Sequence, residues 1–166
     1  KVFALETGTA RGFSAICMSK AINESGCKGE VITIDYLPSD KKIFWNCIKD
    51  FEGKHTRYEL LSKWEKELDN ITFLTGKTKN ILSKLNTDRV NFAFLDACHT
   101  YKEVIKEYNL VSKWQLKGDI IIFDDVTPSL FPGVVEALNI IEKSKDYKIK
   151  YFEIAKDRKI AIAEKF

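Results

Sequence analysis

The sequence predicts an α/β protein built on a mostly parallel sheet with helices on both faces. Three observations predict it. Short apolar runs alternate with segments of helical spacing; a glycine turn directly follows the first run; and most of the runs end in a carboxylate. Such alternation calls for parallel strands joined by right-handed crossovers. With 166 residues, 45% of them hydrophobic, the chain suffices for one core and one domain, 1–166.

Val2-Phe3-Ala4-Leu5 is the first strand, and Glu6-Thr7-Gly8-Thr9-Ala10-Arg11-Gly12-Phe13-Ser14 is the turn that leaves it. Phe13 to Ile22 has helical spacing, Gly26 and Gly29 close that segment, and Val31 to Asp35 is the second strand. Residues 37–70 form a long connection, expected to be a helical lid. Within it Lys41 to Phe51 is expected as one helix. Thr56 and Glu59 are expected as the capping box of a second, with Leu60, Leu61, Trp64 and Leu68 on one face. Ile71 to Leu74 is the third strand, Lys79 to Leu85 a short helix, and Val90 to Leu95 a strand buried on both faces. Thr100 and Glu103 are expected to cap the next helix, whose stripe runs from Tyr101 to Trp114. Asp119 to Asp125 holds the fifth strand and Pro132 to Ile141 the last helix; Tyr147 to Ile154 and Lys159 to Glu164 form a closing antiparallel pair.

Charge and composition exclude several classes. A formal charge of +3 is spread without a basic block, so nucleic acid is not an expected partner. No apolar run is long enough for a membrane span, no signal segment opens the chain, and a cytoplasmic protein is expected. Four cysteines without C-x-x-C spacing read as reduced, mostly buried thiols. The chain opens at Lys1, already in a strand, so a preceding N-terminal segment is expected.

In an open parallel sheet the ligand crevice lies beyond the carboxyl ends of the strands. Glu6, Asp35, Asp96 and the pair Asp124-Asp125 all stand there. The G-x-x-x-G spacing of Gly8 and Gly12 differs from the dinucleotide fingerprint and favours S-adenosylmethionine over a nicotinamide. Asp35 is placed to accept ribose hydroxyls. Asp96, Asp124 and Asp125 offer hard oxygen donors suited to Mg²⁺ or a similar cation. Neighbouring strand residues face opposite ways, so which of Asp124 and Asp125 is a direct ligand stays open. His99, three residues past Asp96, is suited to removing a proton from a hydroxyl. Trp45, Arg57 and Tyr58 are expected on the substrate side.

The motifs Glu6 to Ser14, Ile34-Asp35, Phe94 to His99 and Ile122 to Val126 together resemble class I S-adenosylmethionine-dependent methyltransferases over nearly the whole chain. Within them the chain is most similar to the metal-dependent O-methyltransferases of the catechol and macrocin types. The catechol type has Lys at the place of His99 and Asn at that of Asp125, whereas the macrocin type keeps the D-x-x-H pattern seen here. The resemblance implies a Rossmann-like, doubly wound sheet of seven strands in the order 3-2-1-4-5-7-6, the last antiparallel. It implies that Glu6, Gly8, Thr9, Gly12 and Ser14 surround the methionine part of the cofactor and that Asp35 holds the ribose. Gly76, Lys77 and Thr78 would meet the adenine edge, and Asp96 would touch the cofactor. Asp96, Asp124 and Asp125 would bind Mg²⁺, and His99 with Asp96 would be catalytic. The expected partner is a small-molecule hydroxyl substrate, with a homo-oligomer left open. The alternatives are a metal-independent methyltransferase, a nicotinamide-dependent oxidoreductase, and a binding domain without turnover.

Overall fold

The computed structural model describes residues 1–166. One sheet of seven strands has the order β3-β2-β1-β4-β5-β7-β6. Its strands are β1 (Val2–Thr7), β2 (Gly29–Asp35), β3 (Ile71–Thr75), β4 (Phe92–Leu95), β5 (Ile120–Val126), β6 (Tyr147–Ala155) and β7 (Arg158–Lys165). Only β7 runs against the rest, antiparallel to both β5 and β6. The helices are α1 (Phe13–Glu24), α2 (Arg57–Leu61), α3 (Glu65–Leu68), α4 (Thr78–Leu82), α5 (Tyr101–Val111) and α6 (Pro132–Ser144). None is long and apolar enough to cross a membrane. The predicted fold and strand order therefore hold.

The two-residue period of β1 sorts its side chains between the two layers. Ala4 packs with Ala15, Ile22 and Val31 on the α1 face. Leu5 joins the larger cluster with Val104, Val111, Leu138 and Ile141, from α5 and α6. Each such buried Leu or Ile contributes about 1.5–3 kcal/mol. The same period sends Glu6 towards α1, where it meets Ser14, and Thr7 towards α5, where it meets Glu107. The last residues of the central strand thus reach both layers behind the glycine turn.

The connection 37–70 departs from expectation. Residues 41–51 are not one helix: Ile43 pairs in an isolated antiparallel bridge with His55, and only Ile48–Glu52 coils, as a 3-10 turn. Asp50 accounts for this, because its carboxylate accepts the backbone N–H groups of Trp45 and Cys47 and so favours a turn over helix propagation. The Thr56–Glu59 capping box forms as expected, with Glu59 N donating to Thr56 Oγ1 at 3.0 Å. The helix it opens stops at Leu61, and α3 begins anew at Glu65, so the expected single face is split. At α5 the expected capping box is missing, since Thr100 makes no side-chain cap and Glu103 pairs with Lys106 at 3.2 Å. All four cysteines are free thiols, but none is buried.

Candidate functional site

A cavity of about 630 Å³ opens at the carboxyl ends of β1, β2 and β4. Four turns surround it: Gly8 with Ala10, Asp35 to Leu37, Gly76 to Lys79 and Asp96 to Cys98. Gly8 is needed at its place, for its φ is +88° and a Cβ would stand 2.2 Å from the Asp96 carbonyl oxygen. Of the residues expected at the cofactor, Gly8, Asp35, Gly76, Lys77, Thr78 and Asp96 line this cavity.

Glu6, Thr9, Gly12 and Ser14 instead build the wall behind the turn. Glu6 is fully buried and accepts from the hydroxyls of Ser14 and Thr33, while Thr9 Oγ1 lies 2.6 Å from Thr33 Oγ1. Burial pushes the Glu6 carboxyl up to about 7 against those two hydroxyls. Gly12 admits the neighbouring helix: a Cβ there would lie 2.8 Å from Leu61.

Asp35 is 7% exposed and ties the turns together. Its Oδ2 accepts from Ala10 N at 2.6 Å and its Oδ1 from Leu37 N at 2.9 Å. Behind it Arg57, 1% exposed, donates to the carbonyls of Ala10 and Leu37 and to Ser39 Oγ, with Asp35 Oδ2 at 3.6 Å. Its guanidinium lies 5.1 Å from the Trp45 ring centre and 5.5 Å from that of Phe73. The expectation that Arg57 and Trp45 face substrate is corrected, since both are buried behind the turns at Ala10 and Leu37 and neither lines the cavity. Tyr58, 48% exposed, stands edge-on to Phe73.

Two acids on α5 line the cavity without having been read as site residues: Glu103, expected only as a helix cap, and Glu107. Glu107 is 4% exposed and accepts from Thr7 Oγ1 at 2.8 Å. Burial lifts its carboxyl to about 7. The available signal was a charged residue between Val104, Tyr108 and Val111, in the middle of the buried helix face.

At one edge of the cavity Asp96 leads into a second group. His99 Nε2 lies 3.3 Å from Asp96 Oδ1 and 3.3 Å from Asp125 Oδ2. One ligand atom from each of the three lies within 4.8 Å of the others, and the two carboxylates among them are hard donors that fit a divalent cation with the imidazole beside it. Burial first, and then the nearby charge of Asp124, pushes the Asp96 carboxyl up to about 6, with the His99 hydrogen bond opposing.

The strand-five pair is separated by a kink. Asp125 has φ +53°, and the β5–β7 register shifts between Phe123 and Val126. Asp125 joins the three-donor group, whereas Asp124 is close enough for its charge to act on Asp96 but its oxygens accept from other partners. One oxygen of Asp124 accepts from Asp125 N and the other from Arg158 at 2.9 Å. Arg158 Nε also lies 3.1 Å from Asp125 Oδ1. Asp124, expected as a ligand, therefore stands outside the three-donor group. The Phe131 ring packs on His99 with centres 4.2 Å apart. Gly133 lets α6 approach the His99 loop, since a Cβ there would stand 2.7 Å from the His99 carbonyl oxygen.

A family model described as a methyltransferase domain matches residues 5–126. No curated protein matches the sequence. Solved structures share the fold at low identity. The O-methyltransferase TomG from Streptomyces achromogenes, in complex with SAM, has 16% identity and a TM-score of 0.74 over 98% of this chain and 72% of its own. Cofactor-bound Rv0187 from MTB has 18% identity and a TM-score of 0.75 over 98% and 72%. The Bacillus cereus O-methyltransferase in complex with SAH has 18% identity and a TM-score of 0.70 over 98% and 74%.

Proposed function

The chain belongs to the methyltransferase-domain family, and on that premise we propose that it moves a methyl group from S-adenosylmethionine to a small-molecule hydroxyl with a divalent cation assisting. The observation that carries this reading is the double position of Asp96, which lines the cavity and is also one corner of the Asp96–His99–Asp125 group. A cofactor in the cavity would thereby lie beside the place where an acceptor oxygen is activated.

S-adenosylmethionine held against the Gly8 turn and Asp35 would supply an electrophilic methyl on a sulfonium, with a neutral thioether as the leaving group. A cation held by Asp96 and Asp125 would lower the hydroxyl pKa. The chain's own residues do the rest. Asp35 keeps acceptor capacity for ribose hydroxyls beyond the two N–H groups it already takes. The Gly8 turn lets the backbone come close to the ligand. His99 takes the acceptor's proton, and its positive charge is then stabilised by the two carboxylates 3.3 Å from Nε2. Phe131 fixes the ring plane. Holding both reactants in line contributes up to roughly 7–11 kcal/mol.

Calorimetric titration with S-adenosylmethionine, with and without Mg²⁺, followed by methyl transfer to a panel of hydroxyl acceptors, tests the reading. Binding is expected, and so is turnover that falls at least 100-fold in Asp96→Ala and His99→Ala at saturating cofactor. Unchanged turnover in either variant overturns the mechanism. A cation-free reaction is the second reading, favoured by the guanidinium of Arg158 already set against Asp124 and Asp125. Turnover that survives a chelator decides for it.

A further inference from the structure

Arg158 is the first residue of β7, immediately after the β6–β7 turn, where Asp157 takes a φ of +60°. Its fork spans the strand-five pair, with Nη2 2.9 Å from Asp124 Oδ2 and Nε 3.1 Å from Asp125 Oδ1. Asp125 is thus divided: Oδ1 faces Arg158, and Oδ2 faces His99 and, through it, Asp96. The acid that would hold a cation already serves a tethered one.

The two cations would meet at one carboxylate, Asp125. Asp96, Asp124 and Asp125 carry three negative charges, which Arg158 leaves at minus two. A divalent ion then balances the group, but it must share Asp125 with a guanidinium of the same sign. Two positive charges on the two oxygens of one carboxylate repel each other, and this weakens the Asp125 contact of a half-exposed side chain. Beyond these two contacts the Arg158 side chain has no polar partner, although its backbone is paired with Ala155 in the β6–β7 ladder. Its side chain is 48% exposed, and β7 pairs with β5 at Lys159–Val126 and then skips to Ala161–Phe123.

We propose that Arg158 competes with a divalent cation for the Asp125 carboxylate, so that loading of the Asp96–His99–Asp125 group and docking of the Arg158 side chain on the strand-five pair oppose each other. The inference rests on reading that group as a cation site. It makes Arg158 a positioning residue: with the cation absent, it keeps Asp125 turned towards His99 and prevents the acid pair from repelling itself apart.

Mn²⁺ binding to the full chain, followed by electron paramagnetic resonance and calorimetry, tests this without any turnover assay. The proteins are wild type, Arg158→Gln, Arg158→Lys and Asp125→Asn, each checked for fold by circular dichroism. Arg158→Gln is expected to bind Mn²⁺ about tenfold more tightly than wild type, Arg158→Lys to stay near wild type, and Asp125→Asn to lose binding. Binding by Arg158→Gln alone supports the inference in its strongest form. Equal or weaker binding by Arg158→Gln, with Asp125→Asn still defective, overturns the competition and leaves the cation site standing. Absence of Mn²⁺ binding from every protein overturns both.

Discussion

Replacing Glu6 by Gln exposes the cost of the acid buried beneath the glycine turn. Glu6 has no solvent exposure, and burial is the largest cause lifting its carboxyl from 4.5 to about 7. Below about pH 4.5 folded and unfolded chains both carry the proton. Between about 4.5 and 7 the unfolded chain releases it while the folded chain keeps it, so stability falls as pH rises. Above about 7 the loss is complete and constant. The full gap corresponds to about 3 kcal/mol, of which about 2.5 kcal/mol lies between pH 5 and pH 8. Glu6→Gln has no proton to release, so wild type should lose about 2.5 kcal/mol against it over that interval, or about 5–10 °C in Tm for a chain of this size. Urea unfolding of both proteins at pH 5, 6, 7 and 8, without cofactor, measures the difference directly. The absolute offset is set by which hydroxyl, Ser14 or Thr33, must reverse its hydrogen bond to the amide; the slope is not. A difference that stays flat from pH 5 to pH 8, or moves in favour of wild type as pH rises, refutes the reasoning.

Asp35→Asn should raise the calorimetric Kd for S-adenosylmethionine at least tenfold, because the amide has one acceptor oxygen where the carboxylate now serves Ala10 N and Leu37 N together. A Kd within twofold of wild type removes the ribose role. Arg57→Met should destabilise the chain by about 3–5 kcal/mol in urea unfolding, since it leaves the nearly buried Asp35 without its cation; a loss under 1 kcal/mol contradicts the buried clamp. Gly133→Ala places a methyl 2.4 Å from Tyr101 N and 2.7 Å from the His99 carbonyl oxygen. It should therefore shift the His99 loop and reduce methyl transfer at least tenfold while S-adenosylmethionine affinity stays near wild type. Equal losses in binding and turnover would place the damage in the cavity.

Where one period governed both sequence and packing, the fold was legible. Leu5, Ile34, Ala93 and Ile121 stand on adjacent strands and enter one cluster because a two-residue alternation leaves them no other face. The connection 37–70 was not legible for the opposite reason. Its apolar residues do not coat one helix face against the sheet; Trp45 and Leu61 are drawn inward around a buried guanidinium, while Ile48 and Phe51 stay 85% and 94% exposed. An arginine that is 1% exposed breaks the ordinary rule that such residues stay at the surface. No local pattern announces that it will bond to the turn at Ala10, 47 residues earlier.

The site divides along the same line. Asp96 and His99 were found together because three residues of loop keep them together, and the structure sets them 3.3 Å apart. Asp124 and Asp125 could be named as a pair but not told apart, since the alternation of an ordinary strand sends them to opposite faces and says nothing of which faces the group. The choice is made by the left-handed turn at Asp125 and by Arg158, 34 residues beyond Asp124 and brought back by the antiparallel register of β7 on β5. The carboxylates read alone therefore omit the guanidinium that stands against both Asp124 and Asp125. Counting charges after folding, with Arg158 included, turns a list of acids into a group of defined partners: one guanidinium spans Asp124 and Asp125, and Asp125 is shared between that guanidinium and His99.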